Sequence, residues 1–348
     1  MPSWGGILKE LGSTRLPSGQ PDFDKVRRKY LTQHHQRTKR AIILYASKWT
    51  DVDPDVPPDA ISIADADMHG FMEACYEVPE RELDLILHTP GGSLEAAEAI
   101  VDYLRSRFDH IRVIVPHAAM SAGTIIACAA DEIWMGEHSS LGPIDPQFIL
   151  GTALGKRVAP AQAILDQFEL AKKECTDPRL LAAWAPMLSQ YGPDLLLQCA
   201  NVTSLSRELV QKWLEKYMFK GDGPKAKEVA DWLGNHNSFK SHSRHIPRHQ
   251  LTAKGMRLEN LEKHPAIQDD VLSIFHAVNH TFTGTGAVKI IENHKGNAFV
   301  NQIQRVLMAP PQQPPGAPGA PAGGDGPKRP NPPAPSGAPF PKKKSIFG

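Results

Sequence analysis

The chain has 348 residues, 41% of them hydrophobic, enough for one sizeable buried core or two modest ones. Its 39 basic and 38 acidic side chains leave a formal net charge of +1, which gives no sign of a polybasic nucleic-acid surface. The four cysteines, Cys75, Cys128, Cys175 and Cys199, lie far apart with no CxxC pair. They read as free thiols in a reducing, cytoplasmic setting and offer zinc no cysteine site.

Residues 1–38 are polar and basic and read as an N-terminal arm or helix. The opening stretch has no apolar run of signal-peptide length, and no segment reaches 18 continuous apolar residues. A membrane span is therefore not expected. The short run Trp4–Leu11 could rest on a membrane surface or a partner, but a plain N-terminal turn or helix is the expected reading.

A main domain is expected over 39–308. AIILYAS at 41–47 predicts a buried strand, the Asp- and Pro-rich stretch 49–60 a loop, residues 60–64 a second short strand, and 65–79 a short helix. The best-defined unit follows. LDLILHT predicts a strand broken by Pro90-Gly91-Gly92, and SLEAAEAIVDYLRSRF predicts a helix capped by Ser93. IRVIVP is the next strand, SAGTIIACAA a helix of small residues, and DEIWMG another strand. That order is the crossover pattern of a parallel α/β sheet. From about 159 the pattern turns helical, with helices predicted in PAQAILDQFELAKKE, SLSRELVQKWLEKYMF and KAKEVADWLG. Residues 236–249 are dense in histidine and arginine. After Met308 the composition becomes rich in Pro, Gly and Ala, and 309–348 is expected to be a disordered tail.

Two elements carry candidate chemistry. A double glycine at the end of a strand lets backbone amides point at one spot, as a developing oxyanion requires. Gly91 and Gly92 sit at such a place, although a tight turn without a ligand is the plainer reading of the pair alone. Ser121, with Ala122 and Gly123 behind it, opens a helix of tiny residues where free amide hydrogens are available; an ordinary N-cap serine would look the same. Both elements lie at the C-terminal ends of consecutive parallel strands, where α/β sheets place ligands. A third stretch, Gly142-Pro143-Ile144-Asp145-Pro146-Gln147, is stiff and carries a carboxylate.

The pieces LDLILHTPGG, AEAIVDYLR, IRVIVPHAAMSAGT, ADEIWMG and SLGPIDPQ resemble the Clp-protease/crotonase superfamily. More closely they resemble the serine dehydrogenase proteinases, relatives of signal peptide peptidase A and the stomatin-operon proteases. The resemblance implies a spiral α/β core of parallel strands and helices, with an added helical region. It implies peptide-bond hydrolysis by Ser121, with Gly91, Gly92 and Ala122 around the oxyanion hole. It also implies a homo-oligomer acting on a peptide or protein, with no cofactor, nucleic acid or integral membrane segment, and at most peripheral contact with a membrane.

The proton acceptor stays open at this level. The Clp protease uses a histidine soon after its serine, and that neighbourhood here has none. Signal peptide peptidase A uses a lysine further on, which points to Lys172, on the edge of the apolar side formed by Ile164, Leu165, Phe168 and Ala171. Lys156, Lys173, His88, His117 and His138 are the alternatives, with Asp145 to orient whichever base is used. The cluster His242, His245 and His249 lacks the carboxylate or cysteine company of a convincing metal site. Two other readings share the same residues: an inactive member serving as a scaffold, and a crotonase-type acyl-CoA enzyme.

Overall fold

The computed structural model describes residues 2–152 and 155–303. The expectation for the tail, 309–348, lies outside them.

The strands in chain order are β1 Ala41–Ser47, β2 Glu82–His88, β3 His110–Val115, β4 Ala118–Ala119, β5 Glu132–Met135, β6 Ser140–Leu141, β7 Gln147–Thr152, β8 Gly155–Pro160, β9 Ile246–Pro247, β10 Leu258–Asn260, β11 Ala287–Asn293 and β12 Ala298–Gln302. Seven of them form one sheet in the order β10-β5-β3-β2-β1-β11-β12. The five from β10 to β1 run parallel, and β11 and β12 close the other side antiparallel. β4, β6 and β9 form a separate three-stranded sheet, and β7 and β8 a hairpin. Among the described residues, no helix is long and apolar enough to cross a membrane.

The parallel strands read as continuous apolar runs because both faces are covered. Side chains alternate along a strand. Ile43, Tyr45, Leu83, Leu85, Leu87, Val113 and Val115 join one core with the helices Leu94–Arg107 and Ala122–Cys128. Ile42, Leu44, Ile86 and Ile114 join the other, against Leu31 of the helix Phe23–Thr38 and Val271, Ile274 and Val278 of the helix Pro265–Gly284. The segment before residue 39 thus packs on the sheet through its second helix.

The stretch 60–64 departs from expectation. Pro57 and Pro58 open a short helix, Pro58–Ile61, because proline suits the first helical position. Only Ile63 then bridges the chain, at Gly92. Among the elements not expected from the sequence are the β7–β8 hairpin and the helix Pro178–Leu188, which buries none of its side chains.

One polar cluster ties the helices to the second face. Asp84 on β2 is fully buried. Its carboxylate accepts from His34 at 3.0 Å and from Arg112 Nε at 2.9 Å, and it is also paired with Arg40. The other nitrogen of His34 lies 3.8 Å from Asp270, which also accepts from Arg37 and Gln33 at 2.7 Å each. Burial pushes the Asp84 carboxyl up, but hydrogen bonds from His34 and Arg112 outweigh it and hold the group below its ordinary value. Burial pushes His34 down, but the Asp270 and Asp84 carboxylates beside it raise it above the usual imidazole value.

Removing one member of such a cluster strands buried charge, so Asp84→Asn is expected to cost about 3–5 kcal/mol in urea unfolding. The sign of the pH dependence follows from the two directions. Asp84 contributes fully above about pH 4 and loses its contribution as pH falls through its lowered folded value. His34 contributes fully below about pH 6.5 and loses its contribution as pH rises through its raised folded value. The melting-temperature gap between wild type and Asp84→Asn should therefore be widest between those limits. A gap that stays flat with pH would rule the cluster out as the cause.

Candidate active site

β2 and β3 deliver two loops side by side. The backbone of Thr89 pairs with that of Ala119: the Thr89 amide donates to Ala118 O at 3.1 Å, and the Met120 amide to Thr89 O at 3.0 Å. Gly91 then lies against Met120, Ser121 and Ala122, and Gly92 against Ile63. Gly91 has φ +99°, and a Cβ placed on it would fall 2.7 Å from Ser121 Cβ and 2.7 Å from Met120 O. No side chain fits there. On the far side, a Cβ on Gly92 would fall 2.3 Å from Ile63 O.

Ser121 stands at a sharp strand-to-helix turn, with φ 50° and ψ −118°. A non-glycine residue held there is strained, and nucleophilic serines sit on such turns. Its side chain makes no cap to its own helix, Ala122–Cys128, so the ordinary N-cap reading does not apply.

The amides around it differ. That of Gly91 donates to Thr89 Oγ1 at 3.2 Å. Ile63 takes the carbonyl of Gly91 and the amide of Ser93, so the amide of Gly92 points to the opposite side of its strand. Among the described residues, the amides of Gly92 and Ala122 find no acceptor.

The small sheet holds a third loop against this turn. Ala118 and Ala119 pair in parallel with Ser140 and Leu141, which pair antiparallel with Pro247 and Ile246. Thr124 locks the arrangement. Its hydroxyl lies 2.9 Å from Ala119 O and 3.0 Å from Gly142 O, and it accepts from the Gly142 amide at 2.9 Å. Beyond Gly142 comes Asp145, 1% exposed. Its two oxygens receive His242 Nδ1 at 2.9 Å and His236 Nδ1 at 2.8 Å, with Gln147 Nε2 at 3.1 Å. A carboxylate only accepts, so each of those Nδ1 atoms carries a hydrogen, and in the neutral ring each Nε2 carries a lone pair.

The bases named from the sequence lie in varied settings. The helix Ala161–Glu174 turns Ile164 and Ala171 inward and leaves Lys172 exposed, bonded to Glu169 at 2.9 Å. The Ala161–Glu174 turn that would carry Lys172 to the buried edge instead faces it to water, because Ala171 takes the inward position. Lys173 is exposed on the same helix and Lys156 on β8. His88 is buried, its Nδ1 is 3.1 Å from Ala118 O, and its Nε2 has no hydrogen-bond partner among the described residues. Burial, aided by the nearby His117, lowers its pKa to about 3, too weak a base to hold a serine proton near neutrality. His117 precedes β4 whereas Ser121 follows it; burial lowers its pKa, with His245 and His138 adding to the effect. His138 Nε2 lies 3.0 Å from Pro116 O.

His242 and His245 do not share a ligand position: the first binds Asp145 and the second binds Ser140 Oγ at 2.6 Å. One other group, His35, Glu80 and His294, brings its ligand atoms within 4.8 Å of one another. Its two imidazoles stack 3.9 Å apart at 14°, so their in-plane lone pairs run side by side rather than converging on one ion.

Thr124, His236 and His242 were not among the residues singled out for this site from the sequence. Their contacts bridge 18, 91 and 97 residues of chain, and only the density of histidines in 236–249 hinted at the last two.

Residues 60–183 match the family described as ClpP-like SDH-type serine proteinase. An uncharacterized protein of Methanocaldococcus jannaschii is 50% identical over 96 residues, 27% of this chain and 32% of that protein. A second from the same archaeon is 38% identical over 116 residues, 33% of this chain and 37% of that protein. The matches thus span about a third of the length of these relatives. A solved structure of a membrane-bound stomatin-specific protease, 1510-N, in a serine-to-alanine mutant form, covers 57% of this chain and 74% of its own, at 14% identity and a TM-score of 0.35. The family match encloses the Gly91–Gly92 loop, Ser121 and Asp145, and over residues 60–183 this chain is similar to the ClpP-like SDH-type serine proteinases.

Proposed function

We propose that the protein is a serine peptidase in which Ser121 attacks the scissile carbonyl and the amides of Gly92 and Ala122 hold the oxyanion. The observation that carries this is the turn itself. Ser121 is held in a strained conformation with no cap to its own helix, next to the Ala122 amide and with the Gly92 amide in the adjoining loop, neither of which finds an acceptor among the described residues. Donors fixed before the reaction stabilise a developing charge without reorganising during it. The role of Gly91 in this reading is steric. It lets the loop approach the serine, while its own amide is taken by Thr89.

A fluorophosphonate probe tests the reading. Wild type is expected to be labelled at Ser121, and Ser121→Ala not at all. Gly91→Ala forces the two loops apart and should slow labelling by about 10²–10³-fold, the range for a lost oxyanion donor. An unlabelled wild type would favour the scaffold reading. Labelling that survives in Ser121→Ala would move the nucleophile elsewhere.

The substrate class in this reading is a peptide or protein, and the working form is an assembly of identical chains. Support for assembly comes from the described residues of 147–197. Ile149 on β7 is 70% exposed and Val158 on β8 is 61% exposed, and Leu170, Leu180, Leu181 and Met187 also face out. Such a concentration of apolar surface is unusual on a lone monomer. Sedimentation is expected to give a species larger than the 38.2 kDa chain, and the paired change Ile149→Asp with Leu181→Asp is expected to lower its mass. A wild type that remains monomeric at micromolar concentration would remove the assembly claim.

A further inference from the structure

We propose that His242 is the general base for Ser121, with Asp145 as its positioning residue. The inference rests on the serine-peptidase reading and adds a residue outside the segment matched to the family, which ends at residue 183.

The three-stranded sheet carries it. β4 and β6 run the same way, and β9 runs against them. One edge of this sheet is therefore where the chain leaves Ala119, where it leaves Leu141, and where it arrives at Ile246. Ser121 is two residues beyond the first point. Asp145 is four residues beyond the second. His242 is four residues before the third. One edge gathers a hydroxyl, a carboxylate and an imidazole from three distant parts of the sequence. β6 lies between the other two, so Asp145 comes from the middle strand. β4 and β9 are two strand spacings apart, about 10 Å. A four-residue loop reaching up to about 3.3–3.6 Å per residue, together with an imidazole, can cross that span.

The hydrogen bonding supplies the right protonation state. His242 donates Nδ1–H to Asp145 Oδ1, which leaves Nε2 as the acceptor in the neutral ring. That is the arrangement of an oriented catalytic base. His236 and Gln147 hold the other oxygen, so the carboxylate cannot swing away. Between the two imidazoles, His242 is the better placed. It lies on the short segment leading into β9, and its side chain is 25% exposed, against 16% for His236. His236 instead opens a short helix that follows Leu233, whose carbonyl anchors the Ile144 amide at 3.0 Å.

In the proposed step, His242 Nε2 takes the proton from Ser121 Oγ as Oγ bonds to the scissile carbonyl carbon, and the carbonyl π pair moves onto the oxygen. The same proton then passes to the leaving amine nitrogen as the C–N bond breaks. Water, activated by the freed Nε2, releases the acyl group and restores Ser121.

The test measures fluorophosphonate labelling rates in the full chain. His242→Asn keeps a donor where Nδ1 stands but has no Nε2, so the bond to Asp145 and the fold are retained, as a melting curve would check. Its labelling is expected to fall by about 10²–10⁴-fold, the usual range for a lost general base. In His242→Gly, added imidazole should restore part of the rate, which a purely structural role would not allow. Lys172→Ala should label like wild type. Labelling of His242→Asn within about threefold of wild type, or loss of labelling in Lys172→Ala alone, would overturn the assignment while leaving Ser121 as the nucleophile. No labelling of wild type would overturn both.

Discussion

The backbone at Gly91 lies so close to the turn at Ser121 that no side chain can stand between them. Much else follows from that contact. It requires glycine in the loop after β2 and small residues in the helix behind the serine. It requires Thr89 and Ala119 to pair, which sets how far each loop advances before it turns. It also keeps Ser121 in a conformation that an unsupported residue would leave. The cost of that strain is offset by the surrounding packing, since every residue of Ala122–Cys128 is buried.

Support of this kind needs a rigid base. The large sheet provides it by burying both faces, and buried polar clusters register the helices upon it. Asp84 of β2 draws together Arg40 just before β1, Arg112 of β3 and His34 of the helix Phe23–Thr38. On the opposite face Lys289 of β11 reaches Asp67 at 2.7 Å, and Tyr45 of β1 donates to the same carboxylate at 2.8 Å. Each cluster permits one alignment of its elements, because any other would leave a buried charge without a partner.

The central strands and the two loops were legible because their signals are local. AIILYAS and LDLILHT are apolar runs of strand length, and the glycine pair and the small residues after Ser121 fall where such strands end. The environment of Asp145 was not legible, because its partners come from 91 and 97 residues away and a histidine in a polar stretch carries no mark of its contact. Lys172 shows the opposite failure. Helical spacing placed it beside an apolar stripe, but spacing alone does not show which edge of the stripe meets the core. The stretch 60–64 shows how proline chemistry overrides a weak strand pattern.

The pairing of β1 with β11 also governs when the molecule can become complete. Ile43 lies opposite Asn293, so the first strand made waits for one of the last. β9 and β10, which extend the small and the large sheet, likewise come from residues 246–260. During synthesis the segment carrying Ser121 emerges long before the strands that close either sheet. Contacts between such distant residues form slowly, since the intervening chain must first be ordered. A ribosome-bound chain that has passed Ser121 but not reached β9 has at most two of the three strands of the small sheet. Completion of the site is thereby deferred until most of the polypeptide is available to fold around it.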